Sequence, residues 1–175
     1  MRTLMFLVLL CSCSLGVLAE STAGLRWRTP AGWKSEGPEP MRAVTYAIAP
    51  APGDNAASEC GVYFFGAGQG GSLEANIDRW EGQFSGPGGA PATAKVAKRI
   101  VHGLAITTLD VSGAYSGIGG PTATAPRIVA GYRLLGAIIE APGGSVFIKL
   151  IGPAKTVAAN QPKFEELLAS VQPNK

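Results

Sequence analysis

The chain has 175 residues, 46% of them hydrophobic and 15% charged, with a formal net charge of +3. That hydrophobicity excludes a disordered protein, and the length suits one globular domain better than two. The small positive balance contains no basic block, so charge gives nucleic-acid binding no support.

The first nineteen residues read as an export signal. Met1-Arg2 is a short basic start, Leu4 to Leu10 is an unbroken apolar run, and Val17-Leu18-Ala19 offers a site for cleavage after Ala19. The apolar stretch is too short, and too interrupted by Cys11, Ser12, Cys13, Ser14 and Gly16, for a stable membrane span. A lipid anchor at Cys13 is the second reading, with Leu10 three residues before it and Ser12 directly before it. An uncleaved anchor is the third. The expected location is the periplasm or the exterior, with no transmembrane span in the mature chain 20–175. Cleavage leaves Cys60 alone and unable to form an intramolecular disulfide, so the domain must rest on its core. Cys60 itself reads as a buried or strand-end thiol, a reactive or intermolecular one being the alternative.

Leu25, Trp27 and Thr29 alternate ahead of a turn at Pro30-Ala31-Gly32, which predicts a short strand. A polar loop from Lys34 to Pro40 leads to a half-buried strand in Met41 to Ile48, where Val44, Tyr46 and Ile48 recur at period two. Ala49 to Glu59 is a loop. Cys60 to Phe65 is nearly all apolar and predicts a central strand covered on both faces. Leu73, Ile77, Trp80 and Phe84 share one helical face, with Ser72 or Gly71 as the cap and Glu74, Asp78 and Glu81 on the solvated side. Ser85 to Pro91 ends that helix. Lys95 to Val101 and Leu104 to Ser112 form a hairpin through His102-Gly103, and Tyr115 to Arg127 is a loop. Ile128 to Ala141 and Ser145 to Ile151 form a second hairpin through Pro142-Gly143-Gly144. After Gly152-Pro153 a short helical turn is expected, then a terminal helix with Pro162 in its first turn and Phe164, Leu167, Leu168 and Val171 on its apolar face. Adjacent hairpins imply a largely antiparallel sheet that amphipathic helices cover, an α+β fold.

Pro30-Ala31-Gly32-Trp33, the stretch from Val101-His102-Gly103 to Asp110-Val111-Ser112-Gly113-Ala114-Tyr115, and the closing Phe164 to Ser170 together resemble the PsbP-like fold group. The segment Phe64 to Phe84 resembles small exported bacterial proteins of uncharacterised function. The likeness runs over most of residues 25–171 and rests on packing and turn motifs. It implies one domain over 20–175, an α/β/α sandwich with a mainly antiparallel central sheet. The group includes a photosystem subunit and a nuclear transport factor, and neither role transfers to an exported chain without their binding residues. What the resemblance does imply is a binding or assembly module, not a catalyst.

The chemistry legible in the residues is sparse. Gly66-Ala67-Gly68-Gln69-Gly70-Gly71 fits G-x-G-x-x-G between a strand and a helix, the context of a dinucleotide loop. The next strand, however, ends in Val101-His102 with no acidic residue, and the strands beyond it form hairpins, so NAD is not expected. Anion or small-molecule binding at Gly68, Gln69, Gly70, Gly71 and Ser72, with Trp33 or Tyr115, is the alternative to a plain turn. A lone His102 makes neither a zinc site nor a Ser/His/Asp triad, and Cys60 with His102 is only an arithmetical pair. Asp110 inside an apolar strand reads as a structural, hydrogen-bonded aspartate, Trp80 as core and Trp33 as the least committed tryptophan. No catalytic residue, metal or cofactor is expected. The function expected is therefore an exported, non-enzymatic binding or assembly module of the cell envelope, with a protein or envelope component as partner. Its contact surfaces would be the loops Lys34 to Pro40, Gly66 to Gly71 and Tyr115 to Arg127.

Overall fold

Two hairpins and a preceding meander build the sheet; the computed structural model describes residues 19–118 and 127–174. In chain order the strands before the first helix are β1 (Ala19–Thr22), β2 (Leu25–Arg28), β3 (Lys34–Ser35), β4 (Arg42–Ile48) and β5 (Ser58–Phe64). Helix α1 (Leu73–Glu81) leads to β6 (Phe84–Ser85), β7 (Lys95–Val101), β8 (Leu104–Ile118), β9 (Arg127–Ala141) and β10 (Gly144–Pro153). Helix α2 (Ala154–Ser170) and β11 (Gln172–Pro173) close the chain.

Eight strands form one sheet in the order β3-β4-β5-β10-β9-β8-β6, with β7 also on β8, and every pairing in it is antiparallel. The fold is α+β, as the hairpin pattern requires. A second, three-stranded sheet of β1, β2 and β11 joins the two ends of the described chain, which the sequence pattern did not predict. The β7–β8 turn places His102 at φ 48 and Gly103 at φ 81, the left-handed pair of a type I′ hairpin.

Alternation along β9 and β10 divides the core between the two faces of the sheet. Leu135, Ala137, Ile139, Ile148 and Leu150 meet Val157, Phe164, Leu167 and Leu168 of α2. Leu134, Ile138, Phe147 and Ile151 meet Trp80 of α1, with Phe84 and Tyr115 beside them. Each such buried side chain contributes about 1.5–3 kcal/mol before entropy.

Four expectations need correction. Phe84 does not continue α1: Gly82 ends the helix, and Phe84 enters β6 opposite Tyr115. The strand over 58–64 is fully covered on one face and only partly on the other, where Glu59 and Tyr63 border an open cleft. Tyr115 belongs to β8, not to a loop, since the β8–β9 ladder carries on past Gly113 to pair Tyr115 with Val129 and Ile118 with Arg127. The rest of that expected loop, 119–126, lies outside the described residues. Finally, α2 is one helix of 17 residues with Pro162 inside it. Pro162 is exposed, and burial of Thr156 and Val157 before it and Phe164 after it holds the helix through the proline.

A proline inside a helix removes one backbone bond and crowds the preceding turn. Pro162→Ala should therefore raise the unfolding free energy by about 1–3 kcal/mol in a urea titration. An unchanged or lower value would contradict this account of α2.

Candidate functional site

Helix α1 has nine residues, and this short helix leaves part of its sheet face open. The exposed part is a cleft over β5, β10, β9 and β8, in two compartments that share Tyr63, Gln83, Gly117 and Lys149. The first, about 490 Å³, is walled by Tyr63, Phe65, Trp80 and Phe147 and carries Arg79 and Lys149 with no acidic residue. The second, about 770 Å³, holds Arg42, Glu59, Tyr115 and Tyr132. Both volumes lie in the range of small-molecule sites.

Lys149 stands at the junction. On strand β10 it is flanked in register by Gly61 of β5 and Gly136 of β9. These two glycines have nothing above them but rings. A Cβ at 136 would lie 2.5 Å from Cζ3 of Trp80, and one at 61 would lie 2.7 Å from the Tyr63 hydroxyl. The lysine stem therefore rises between an indole and a phenol. Its Nζ lies 5.6 Å from the Trp80 ring centre and donates to Gln83 Oε1 at 3.4 Å. Gln83 is itself fixed by its backbone carbonyl, which accepts from both the backbone N–H (2.9 Å) and the hydroxyl (3.1 Å) of Ser116.

No ion pair among the described residues includes Lys149. The nearby acid, Glu59, is engaged at 3.4 Å by Arg42, whose guanidinium also lies 5.3 Å from the Tyr63 ring centre. Burial, followed by the like charge of Arg79, pulls the Lys149 ammonium down to about 8. Burial pushes the phenols of Tyr63 and Tyr115 up, so both remain neutral donors at physiological pH. Tyr115 stacks on Tyr132 at 5.9 Å and 6° and meets Phe84 at 5.0 Å.

The residues singled out from sequence fall in different places. Tyr115 borders the cleft. Gly70 walls it indirectly: a Cβ there would lie 2.8 Å from Phe147 and 3.0 Å from Phe65. Gly68 and Gln69 are exposed, and the Gly70 carbonyl accepts from Asn76 Nδ2 at 2.8 Å. Ser72 is the N-cap, its hydroxyl accepting from the Ala75 N–H at 3.1 Å. Trp33 is 6% exposed within the α2-side core and donates to Asn160 Oδ1 at 3.0 Å, so it is not brought together with the loop.

The remaining chemical groups are committed elsewhere. His102 Nδ1 lies 2.8 Å from the Val171 carbonyl, Asp110 is clasped through both oxygens by Arg133 at 2.8 Å, and Cys60 is fully buried with its thiol pushed well up by desolvation. Among the described residues no three His, Cys, Asp or Glu side chains cluster to hold a metal, and no helix is long and apolar enough to cross a membrane. Sequence reasoning passed over Lys149, Gln83 and Arg79. The signal for Lys149 was present, a single cation in Val146-Phe147-Ile148-Lys149-Leu150-Ile151.

Because Trp80 lies against bare backbone at 136, Gly136→Ala should lower stability by about 1–3 kcal/mol through overpacking. It should also change the tryptophan emission as the indole is lifted. A neutral substitution with unaltered emission would contradict the packing described.

No family model matches the chain, and no curated protein matches it in sequence. Among solved structures it is similar to the solution structure of cyanobacterial PsbP (CyanoP) from Synechocystis sp. PCC 6803. That similarity has a TM-score of 0.53 and 14% identity, over 94% of this chain and 98% of that one. A crystal structure of a protein of unknown function from Pseudomonas aeruginosa matches over 88% of this chain and 94% of its own, at 15% identity and a TM-score of 0.49. With its largely antiparallel sheet and two helices, the chain has a PsbP-like fold.

Proposed function

We propose that the protein is an exported, non-enzymatic binding module of the cell envelope, and that its recognition site is the cleft over Lys149. The observation that carries this reading is the cleft's unpaired cation. A lysine on a central strand, between two rings and without a carboxylate of its own, lowers the stability of the free fold. A group with that cost, held by an amide and a ring and without an ion-pair partner among the described residues, is a site for an incoming anion.

Several features favour binding over catalysis. With its ammonium near 8, Lys149 is mainly a cation at pH 7. The histidine, Asp110 and Cys60 are committed outside the cleft. Export rests on residues 1–19, with cleavage after Ala19 as the first reading and a lipid anchor at Cys13 as the second. Residues 20–175 are then one domain, read as an α/β/α sandwich because α1 and α2 pack on opposite faces of the sheet. The glycine-rich loop 66–71 serves this reading as a wall, through Gly70 on Phe147 and Phe65.

The test is Lys149→Met, which keeps the stem and removes the charge. At pH 7 the substitution should raise the melting temperature by a few degrees, as replacement of a largely desolvated charge by a hydrophobe of similar volume does. The folded-state value is lowered, so the cost of the charge is fully present below about pH 8 and fades as pH rises toward the unfolded value near 10.4. The advantage of the methionine should shrink over that same interval. A variant less stable than the parent at pH 7 would make Lys149 structural and remove the basis of the proposal.

A further inference from the structure

The identity of the cleft's ligand class follows from its walls, and rests on the reading of the cleft as the recognition site. We propose that the smaller compartment binds a small aromatic carboxylate, with its ring among Phe65, Phe147 and Tyr63 and its carboxylate on Lys149 Nζ and the Gln83 amide.

Charge selects the anion. Among the described residues, Arg79 and Lys149 are the only charged ones lining this compartment. The nearby acid, Glu59, lies in the other compartment, where Arg42 engages it. Arg79 is engaged by Asn76 Oδ1, so the donors that meet at the head of the cleft are the Lys149 ammonium and the Gln83 amide, a set that matches a monoanionic carboxylate better than a phosphate with its larger number of acceptor oxygens.

The walls select the ring. Phe65 and Tyr63 are nearly parallel, 20° apart with centroids at 6.4 Å, and both line the compartment. Phe147 is tilted 54° to Phe65 at 5.6 Å, and Trp80 meets Phe147 edge-on at 6.4 Å. A planar group placed here meets both faces and edges, the two favourable aromatic contacts. Phe65 remains 36% exposed at the rim although it follows directly on a core strand, an apolar surface the free fold does not cover. The cavity, about 490 Å³, is of small-molecule size and has room for one ring with a short acidic arm.

The experiment is calorimetric titration of the whole protein with four probes: 4-hydroxyphenylacetate, its primary amide, cyclohexylacetate and inorganic phosphate. The aromatic acid should bind, and the amide should bind at least about tenfold more weakly, the loss of one charge-assisted hydrogen bond. Cyclohexylacetate should fall by several-fold for want of ring stacking, and phosphate should give no saturable heat. Lys149→Met should weaken the aromatic acid by about tenfold or more without lowering the melting temperature, and Phe65→Ala, at the exposed rim, should weaken it with the fold intact. Equal binding of acid and amide, or phosphate binding as tightly as the acid, would overturn the proposal. So would the absence of heat from the aromatic acid up to about 1 mM. If that absence came with the stability gain of Lys149→Met, the ligand class alone would fall and the recognition cleft would stand.

Discussion

The arrangement around Lys149 begins with two missing side chains. Gly61 and Gly136 flank the lysine across the sheet, and each has an aromatic ring where a Cβ would otherwise project. Trp80 can lie on β9 only because residue 136 is glycine, and through Trp80 the short helix α1 is fastened to its face of the sheet. The same two rings confine the lysine stem and keep water from much of it. Its depressed ammonium, the aromatic compartment and the seat of α1 are thus consequences of one packing arrangement on three adjacent strands.

The two faces of the sheet are treated unequally, and the open cleft follows from the difference. Helix α2, with 17 residues, covers its face with Val157, Phe164, Leu167 and Leu168, and the Asp110–Arg133 clasp ties β8 to β9 on that side. His102 fastens the β7–β8 turn to the end of the same helix through Val171. Helix α1 is about half as long, and beyond it the face is finished by tyrosines and charged groups instead of an apolar layer. A chain that stabilises itself on one side can leave a cation unpaired on the other.

The sequence reading reached the architecture because hydrophobic period and turn chemistry are local. His102-Gly103 and Pro142-Gly143-Gly144 marked both hairpins, and the period-two runs marked the strands they join. Where contacts distant in sequence decide, the local signal misled. Phe84 kept the helical spacing, but its ring belongs beside Tyr115; Pro162 looked like a helix start, but burial on both sides of it carries the helix through. Trp33 beside a turn looked free and is enclosed by α2 through Asn160. In the glycine-rich loop, which the motif singled out, Gly70 packs closely on Phe147 and Ser72 caps the helix that follows. The cleft was hardest to see, since its lysine, glutamine and arginine come from different elements. Its one local trace was a charge inside an apolar strand, and such a break of pattern is where functional sites are to be expected.

The central claim is that Lys149 is a half-buried cation without an ion-pair partner among the described residues, held ready for one. It is tested most directly by titrating the lysine side chains of the isotope-labelled free protein by NMR and assigning Lys149 through Lys149→Met. The account predicts an ammonium that titrates near 8, well below the other lysines, and shifts upward when an aromatic carboxylate is added. A Lys149 that titrates with the surface lysines near their ordinary value would show it solvated or already paired, and would contradict the claim.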